Sequence, residues 1–178
     1  MVIYFLRHAS AGPKQFSNPT NDEKRPIDKI GEGQSHDVGR AMAFLGVAAE
    51  VIISSPLTRA MQTADIVAQE IGYEEKILVD PALRPEGTFE QFKALLNRHK
   101  DKTSIMVVGH DPSMTEFVNR VLSGGTPLAV LEMKKGGAAK VEKELRRPAV
   151  LRWLLTPKVV QRIQRSSAKR SRPKTDLK

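Results

Sequence analysis

Two arginines and two histidines in this chain lie just behind short apolar runs. Arg7-His8 closes the run Val2–Leu6, Ser54 to Arg59 follows Val51–Ile53, and Gly109-His110 follows Ile105–Val108. Short apolar runs closed by polar or turn residues read as buried strands. In an open α/β sheet, ligands bind outside the carboxyl ends of the strands. Three separate segments therefore deliver Arg7, His8, Arg59 and His110 to one rim.

The residue types suit a phosphoryl group. A guanidinium grips phosphate oxygens with a planar fork. A helix starting at Pro56 would add free N–H groups and a positive dipole end. A neutral imidazole can attack phosphorus, and the phosphohistidine so formed is easily hydrolysed. A second, protonated imidazole can donate to a non-bridging oxygen. Phosphoryl transfer asks mainly for positioning and charge stabilisation, so this cage needs neither metal nor cofactor. The histidines lack the carboxylate cluster or close ligand spacing of a metal site. Asp111, before Pro112, fits a helix start better than a ligand. The absence of cysteine excludes thiolate zinc sites, disulfides and cysteine nucleophiles.

Other polar residues read more plainly. His36 and His99 lack such company and are structural or solvated. Ser55 is a natural N-cap before Pro56, and Ser10 lines a loop. Gln62 and Thr63 either steady Arg59 from one turn away or face solvent. Trp153 belongs to the core.

The elements that position the cage follow from periodicity. Leu57, Ala60, Met61, Ala64, Val67, Ala68 and Ile71 recur at helical steps, with Gly72 as the stop. Helices are also expected from Gly33 to Leu45, from Thr88 to His99 behind a Thr88/Gln91 capping box, and from Pro112 to Leu122. Further strands are expected at Ile77–Val79, Leu128–Met133, Ala138–Glu142 and Val150–Leu155. Strands alternating with helices imply an α/β fold, a three-layer α/β/α sandwich with a mostly parallel central sheet.

The chain has 178 residues, with 40% apolar and 28% charged, which fits one domain with a real core. Of the net charge of +9, residues 158–178 carry +7, from eight Lys or Arg against Asp176. We therefore divide the chain into a domain over 1–157 and a basic, disordered tail over 158–178, with Val159, Val160 and Ile163 spaced for a short helix before the Lys-, Arg-, Ser- and Pro-rich stretch beyond Ser166. That tail suits a polyanion, but no aromatics are interleaved for base stacking. No apolar run reaches the ~18 residues of a membrane span. Met1–Leu6 reads as a strand, not a signal peptide, which places the protein in the cytoplasm.

These residues resemble the signatures of the histidine phosphatase superfamily, the group containing the phosphoglycerate mutases. Leu6-Arg7-His8-Ala9 is similar to its Arg-His-Gly motif. Ser54-Ser55-Pro56-Leu57-Thr58-Arg59-Ala60-Met61-Gln62-Thr63-Ala64 resembles its second motif almost residue for residue, and Val108-Gly109-His110 its third. Arg25-Pro26-Ile27 with Gly31 and Gln34, Gly109-His110-Asp111-Pro112, and Trp153-Leu154-Leu155-Thr156-Pro157 resemble the compact bacterial branch of SixA-type phosphohistidine phosphatases.

The resemblance spans roughly residues 1–157 and implies a phosphoglycerate mutase-like fold. It implies His8 as nucleophile, with Arg7, Arg59 and His110 as phosphate pocket and Arg25 reaching the same pocket. It implies a phosphorylated protein as substrate, such as a histidine-containing phosphotransfer domain. A small phosphate ester is the alternative substrate, and a non-catalytic phosphate-binding module the alternative to an enzyme. The loops after Gly72 and near Gly124 are short, so the site should be open, which favours a protein. Two departures stand out. Ala9 replaces the motif's glycine and is harmless only if the backbone there keeps a negative φ. The general acid of many relatives has Glu86 as its nearest counterpart.

Overall fold

The computed structural model describes residues 1–13, 22–126, 131–144 and 147–170. Its strands are β1 (Val2–Arg7), β2 (Val51–Ser54), β3 (Leu78–Val79), β4 (Ser104–Gly109), β5 (Ala138–Glu142) and β6 (Val150–Leu155). Its helices are α1 (Lys29–Phe44), α2 (Thr58–Glu70), α3 (Phe89–Arg98), α4 (Ser113–Leu122) and α5 (Pro157–Arg170), with a 3₁₀ turn at Pro81–Leu83.

The strands form one sheet in the order β3-β2-β4-β1-β5-β6. The first four of that order are mutually parallel. β5 is antiparallel to both β1 and β6. The central strands are continuously apolar because both of their faces are covered. Side chains alternate between those faces. Ile3, Phe5, Ile105 and Val107 meet Phe92 of α3 and Phe117 of α4 on one side. Tyr4, Leu6, Met106 and Val108 meet Val38 and Met42 of α1 and Ala60, Ala64 and Val67 of α2 on the other. The result is the expected sandwich of three layers.

Register sets the site. Arg7 of β1 lies opposite Gly109 of β4, and Ser54 of β2 lies opposite Val108. The carboxyl ends of three neighbouring strands therefore finish level, and the chemistry-bearing residues emerge side by side.

Several boundaries differ from expectation. α1 begins at Lys29 rather than Gly33, because Asp28 caps it by accepting from the Gly31 N–H at 2.8 Å. α2 begins at Thr58, with Leu57 at the cap position and no side-chain cap. The strand expected at Leu128–Met133 is not formed by Leu131–Met133, and the rest of it lies outside the described residues. The boundary at Pro157 moves. The segment expected to be a disordered tail is helical as far as Arg170, and Val160 is buried within the domain. Gln164 Nε2 also donates to the Asp37 carbonyl of α1. Residues 171–178 of that tail lie outside the described residues.

Candidate active site

The rings of His8 and His110 lie 4.9 Å apart, centroid to centroid. The main chain fixes the first of them. The His8 N–H donates to the Gly109 carbonyl, continuing the β1–β4 ladder by one step. Its Nδ1 lies 2.7 Å from the Ala9 carbonyl oxygen. A carbonyl can only accept, so Nδ1 carries the proton and Nε2 keeps its lone pair. Burial is the main cause that holds the His8 pKa down to about 3, with Arg59, Arg7 and Lys135 adding to it. His8 is thus neutral near pH 7, with the tautomer that leaves the Nε2 lone pair free.

His110 is held by a residue that the sequence reading assigned elsewhere. Its Nε2 lies 2.8 Å from Ser55 Oγ. The expected helix cap is corrected accordingly: Ser55 Oγ takes only a long 3.4 Å bond from the Leu57 N–H, and its hydroxyl serves the histidine. Burial again dominates in lowering the His110 pKa, to about 2, followed by His8, Arg59, Arg7 and Arg25. A serine hydroxyl can give or take this bond; when it gives, a neutral His110 carries its proton on Nδ1.

Arg7 ends β1, and Arg59 lies in the first turn of α2. Arg7 Nη1 donates to the Met133 carbonyl at 2.6 Å and lies 3.4 Å from Asp111 Oδ2. Asp111 thus serves Arg7, and also accepts from Thr115 Oγ1. Arg59 is only 4% exposed. Its Nη1 donates to the Asp22 carbonyl and its Nη2 lies 3.4 Å from Asp22 Oδ2. Arg25 shares that carboxylate through Nε at 2.9 Å and donates from Nη1 to the Gly12 carbonyl. The Arg25 charge acts on both Arg59 and His110.

Three buried side-chain nitrogens have no hydrogen-bond partner among the described residues: Arg7 Nε, Arg59 Nε and His110 Nδ1. A buried donor left unpaired costs about 1–3 kcal/mol, and folded proteins rarely leave one so. All three belong to the cage read from sequence. An oxyanion is a ligand suited to such donors.

The loop after β1 is tied down by residues of other elements. The Ala9 N–H donates to Thr63 Oγ1, which itself donates to the Arg59 carbonyl. Thr63 thus couples the two cage segments, while Gln62 accepts from the Ile27 N–H. Ser10 donates to Asp28 and its N–H to Gln34. Gly31 is obligatory, since a Cβ there would fall 2.0 Å from the Ser10 oxygen. Ala9 itself is fully buried, and no non-glycine residue among those described has positive φ. Its methyl group therefore imposes no strain.

Glu86 stands apart from this network. Its side chain is 69% exposed and faces Arg84, with Oε1 3.7 Å from Nη1. His36 pairs with Glu70, and His99 caps the end of α3. Trp153 stacks on Tyr4 within the core. The openness expected of the site is only partial: His8, His110 and Arg59 are buried, while Arg7 also lines a surface groove of about 740 Å³. Among the described residues, no three His, Cys, Asp or Glu side chains gather as a metal site. No described helix is long and apolar enough to cross a membrane.

The family model of the histidine phosphatase superfamily, branch 1, matches residues 3–91. An uncharacterized protein of Picosynechococcus sp. is 33% identical over 140 residues, covering 77% of this chain and 82% of that one. Among solved structures, that of the protein histidine phosphatase SixA complexed with tungstate has a TM-score of 0.78. It is 23% identical and covers 90% of this chain and 99% of that chain. The alpha-ribazole phosphatase from Shigella flexneri has a TM-score of 0.69 at 15% identity, covering 88% and 97%. The fold is thus phosphoglycerate mutase-like.

Proposed function

The chain belongs to the histidine phosphatase superfamily, branch 1, as a phosphatase of that superfamily, and on this premise we propose that it turns over through a phosphohistidine on His8 without a metal ion. The observation that carries the proposal is the trio of unpartnered buried nitrogens on Arg7, Arg59 and His110, grouped around a neutral imidazole with a free lone pair.

The first step breaks the bond between phosphorus and the leaving atom as His8 Nε2 forms a P–N bond. Arg7, Arg59, Arg25 and the His110 Nδ1–H hold the non-bridging oxygens, where charge is greatest. The leaving group departs with a proton. In the second step water attacks phosphorus, the P–N bond breaks, and inorganic phosphate leaves a neutral His8. An alkoxide needs that proton more than an imidazole does, and Glu86 is the residue proposed to give it. Glu86→Gln should then slow ester hydrolysis and leave phosphoramidate hydrolysis unchanged. Equal effects on both would remove Glu86 from the reaction.

We assign phosphohistidine on a protein as the substrate class. The likeness to the SixA structure supports it, as does a surface groove reaching Arg7. The likeness to an alpha-ribazole phosphatase favours a second reading, a small phosphate ester, because one fold serves both chemistries. Turnover of phosphohistidine peptide, phosphoserine peptide and p-nitrophenyl phosphate, with and without EDTA, decides among these readings. The proposal expects the phosphohistidine peptide to give the highest kcat/KM, unaffected by EDTA. Loss of activity in EDTA, or preference for an ester, overturns the corresponding part.

A further inference from the structure

Arg7 belongs both to the phosphate cage and to the wall of the neighbouring groove of about 740 Å³. The charged residues lining that groove are Arg7, Lys134, Lys135 and Lys158, and no carboxylate lines it. Lys134 is paired with Glu132 at 2.6 Å. Lys135 and Lys158 are exposed and have no ion-pair partner among the described residues. Lys135 is close enough for its charge to act on His8 and Asp28. Lys158 stands at the start of α5, whose docking on α1 fixes it beside the groove.

A concave surface lined by one sign of charge focuses its field and concentrates ligands of the opposite sign. This groove is much larger than one phosphate and shares Arg7 with the cage. Gln34, Thr156 and Gln161 supply neutral hydrogen-bonding groups along it, with Ile30 and Pro157 as apolar wall. It has no aromatic side chain, so it offers no platform for stacked bases. Its features fit an extended chain carrying carboxylates.

We propose that this groove docks an acidic segment of a phosphoprotein substrate, Lys135 and Lys158 pairing with Asp or Glu side chains next to the phosphorylated residue as the phosphoryl group enters at Arg7. The proposal rests on the phosphatase reading above and narrows it to acidic phosphoproteins. Gln34 and Gln161 meet the peptide backbone between those carboxylates.

The test compares two phosphohistidine peptides that differ only in having Asp/Glu or Ser/Asn flanks. It also uses their unphosphorylated forms, phosphoramidate, a small bisphosphate and single-stranded RNA. The full chain and its Lys158→Glu and Lys135→Glu variants are assayed for kcat/KM and for binding of the labelled unphosphorylated peptides. The acidic peptide should be preferred about tenfold at low salt, and the preference should shrink as salt rises. Lys158→Glu should abolish the preference and leave phosphoramidate turnover unchanged.

Equal binding of acidic and neutral peptides overturns the docking surface. So does a preference that survives Lys158→Glu, or tighter binding by the bisphosphate or RNA than by the acidic peptide. Selective binding of the acidic peptide without turnover of any phosphate compound upholds the docking surface and sinks the phosphatase reading instead.

Discussion

His8 and His110 face one another with ring planes tilted by 50° at a centroid separation of 4.9 Å. Each ring is locked from a different direction, His8 by the Ala9 carbonyl and His110 by the Ser55 hydroxyl. The two locks give the rings complementary roles. In the proposed mechanism one presents a lone pair to phosphorus, and the other an N–H to the oxyanion. His8 cannot exchange its role without losing its hydrogen bond to the Ala9 carbonyl.

Ser55→Ala should therefore damage the reaction without removing any group that touches the phosphoryl. The lost bond releases the His110 tautomer, and a buried hydrogen bond is worth about 1 kcal/mol. A fall in kcat of about tenfold is expected, with a changed pH–rate profile and little change in KM. An unchanged profile would show that Ser55 does not set the state of His110.

Arg59 should control both anion affinity and rate. Tungstate or orthovanadate should raise the Tm of the wild-type protein by occupying the cage. Arg59→Ala should weaken that anion by about ten- to a hundredfold, the worth of charge-assisted hydrogen bonds, and lower kcat/KM with it. Arg59→Lys should recover only part, because an ammonium lacks the fork. Isothermal titration of the folded variants checks this directly.

The buried histidines make stability sensitive to acid. Their pKa values are about 3 and about 2 in the fold, below the ordinary 6.5. Between those limits the unfolded chain binds protons that the folded chain refuses. Stability is therefore complete above pH ~6.5 and falls as pH drops, by about 1.4 kcal/mol per unit for each histidine. Urea midpoints should decline from pH 7 to pH 5, and His110→Gln should make the decline shallower. A flat profile in the wild type would mean that the rings are protonated in the fold.

Ala9→Gly should leave turnover intact and lower stability by roughly 0.5–1 kcal/mol, since the glycine adds only freedom to the unfolded chain. Urea unfolding and kcat are the measurements. A marked rise in kcat would mean that the methyl group obstructs the site.

The strand ends were legible because apolar runs that stop abruptly at Arg7, Ser54 and Gly109 carry both a fold signal and a chemical one. Periodicity gave α2 and the Thr88/Gln91 capping box, with the latter formed as expected. Ser55 was misread because Ser-Pro before a helical run carries a strong local capping signal. Its actual partner lies 55 residues away, and local spacing does not encode such a pairing. Asp22, which holds Arg59 and Arg25, sits in a polar stretch with no periodicity to mark it. The start of α5 was legible in Val159, Val160 and Ile163, and Val160 is buried as its anchor. The φ of Ala9 depends on the ladder bond at His8 and the Thr63 contact, both of them tertiary.

The most direct test is to mix the protein with phosphoramidate, quench it, and identify the phosphorylated residue by mass spectrometry and phosphorus NMR. A linkage labile to acid and stable to alkali should be found on His8, and His8→Ala should form none and turn nothing over. Phosphate on any other residue, or full activity in His8→Ala, would contradict the account.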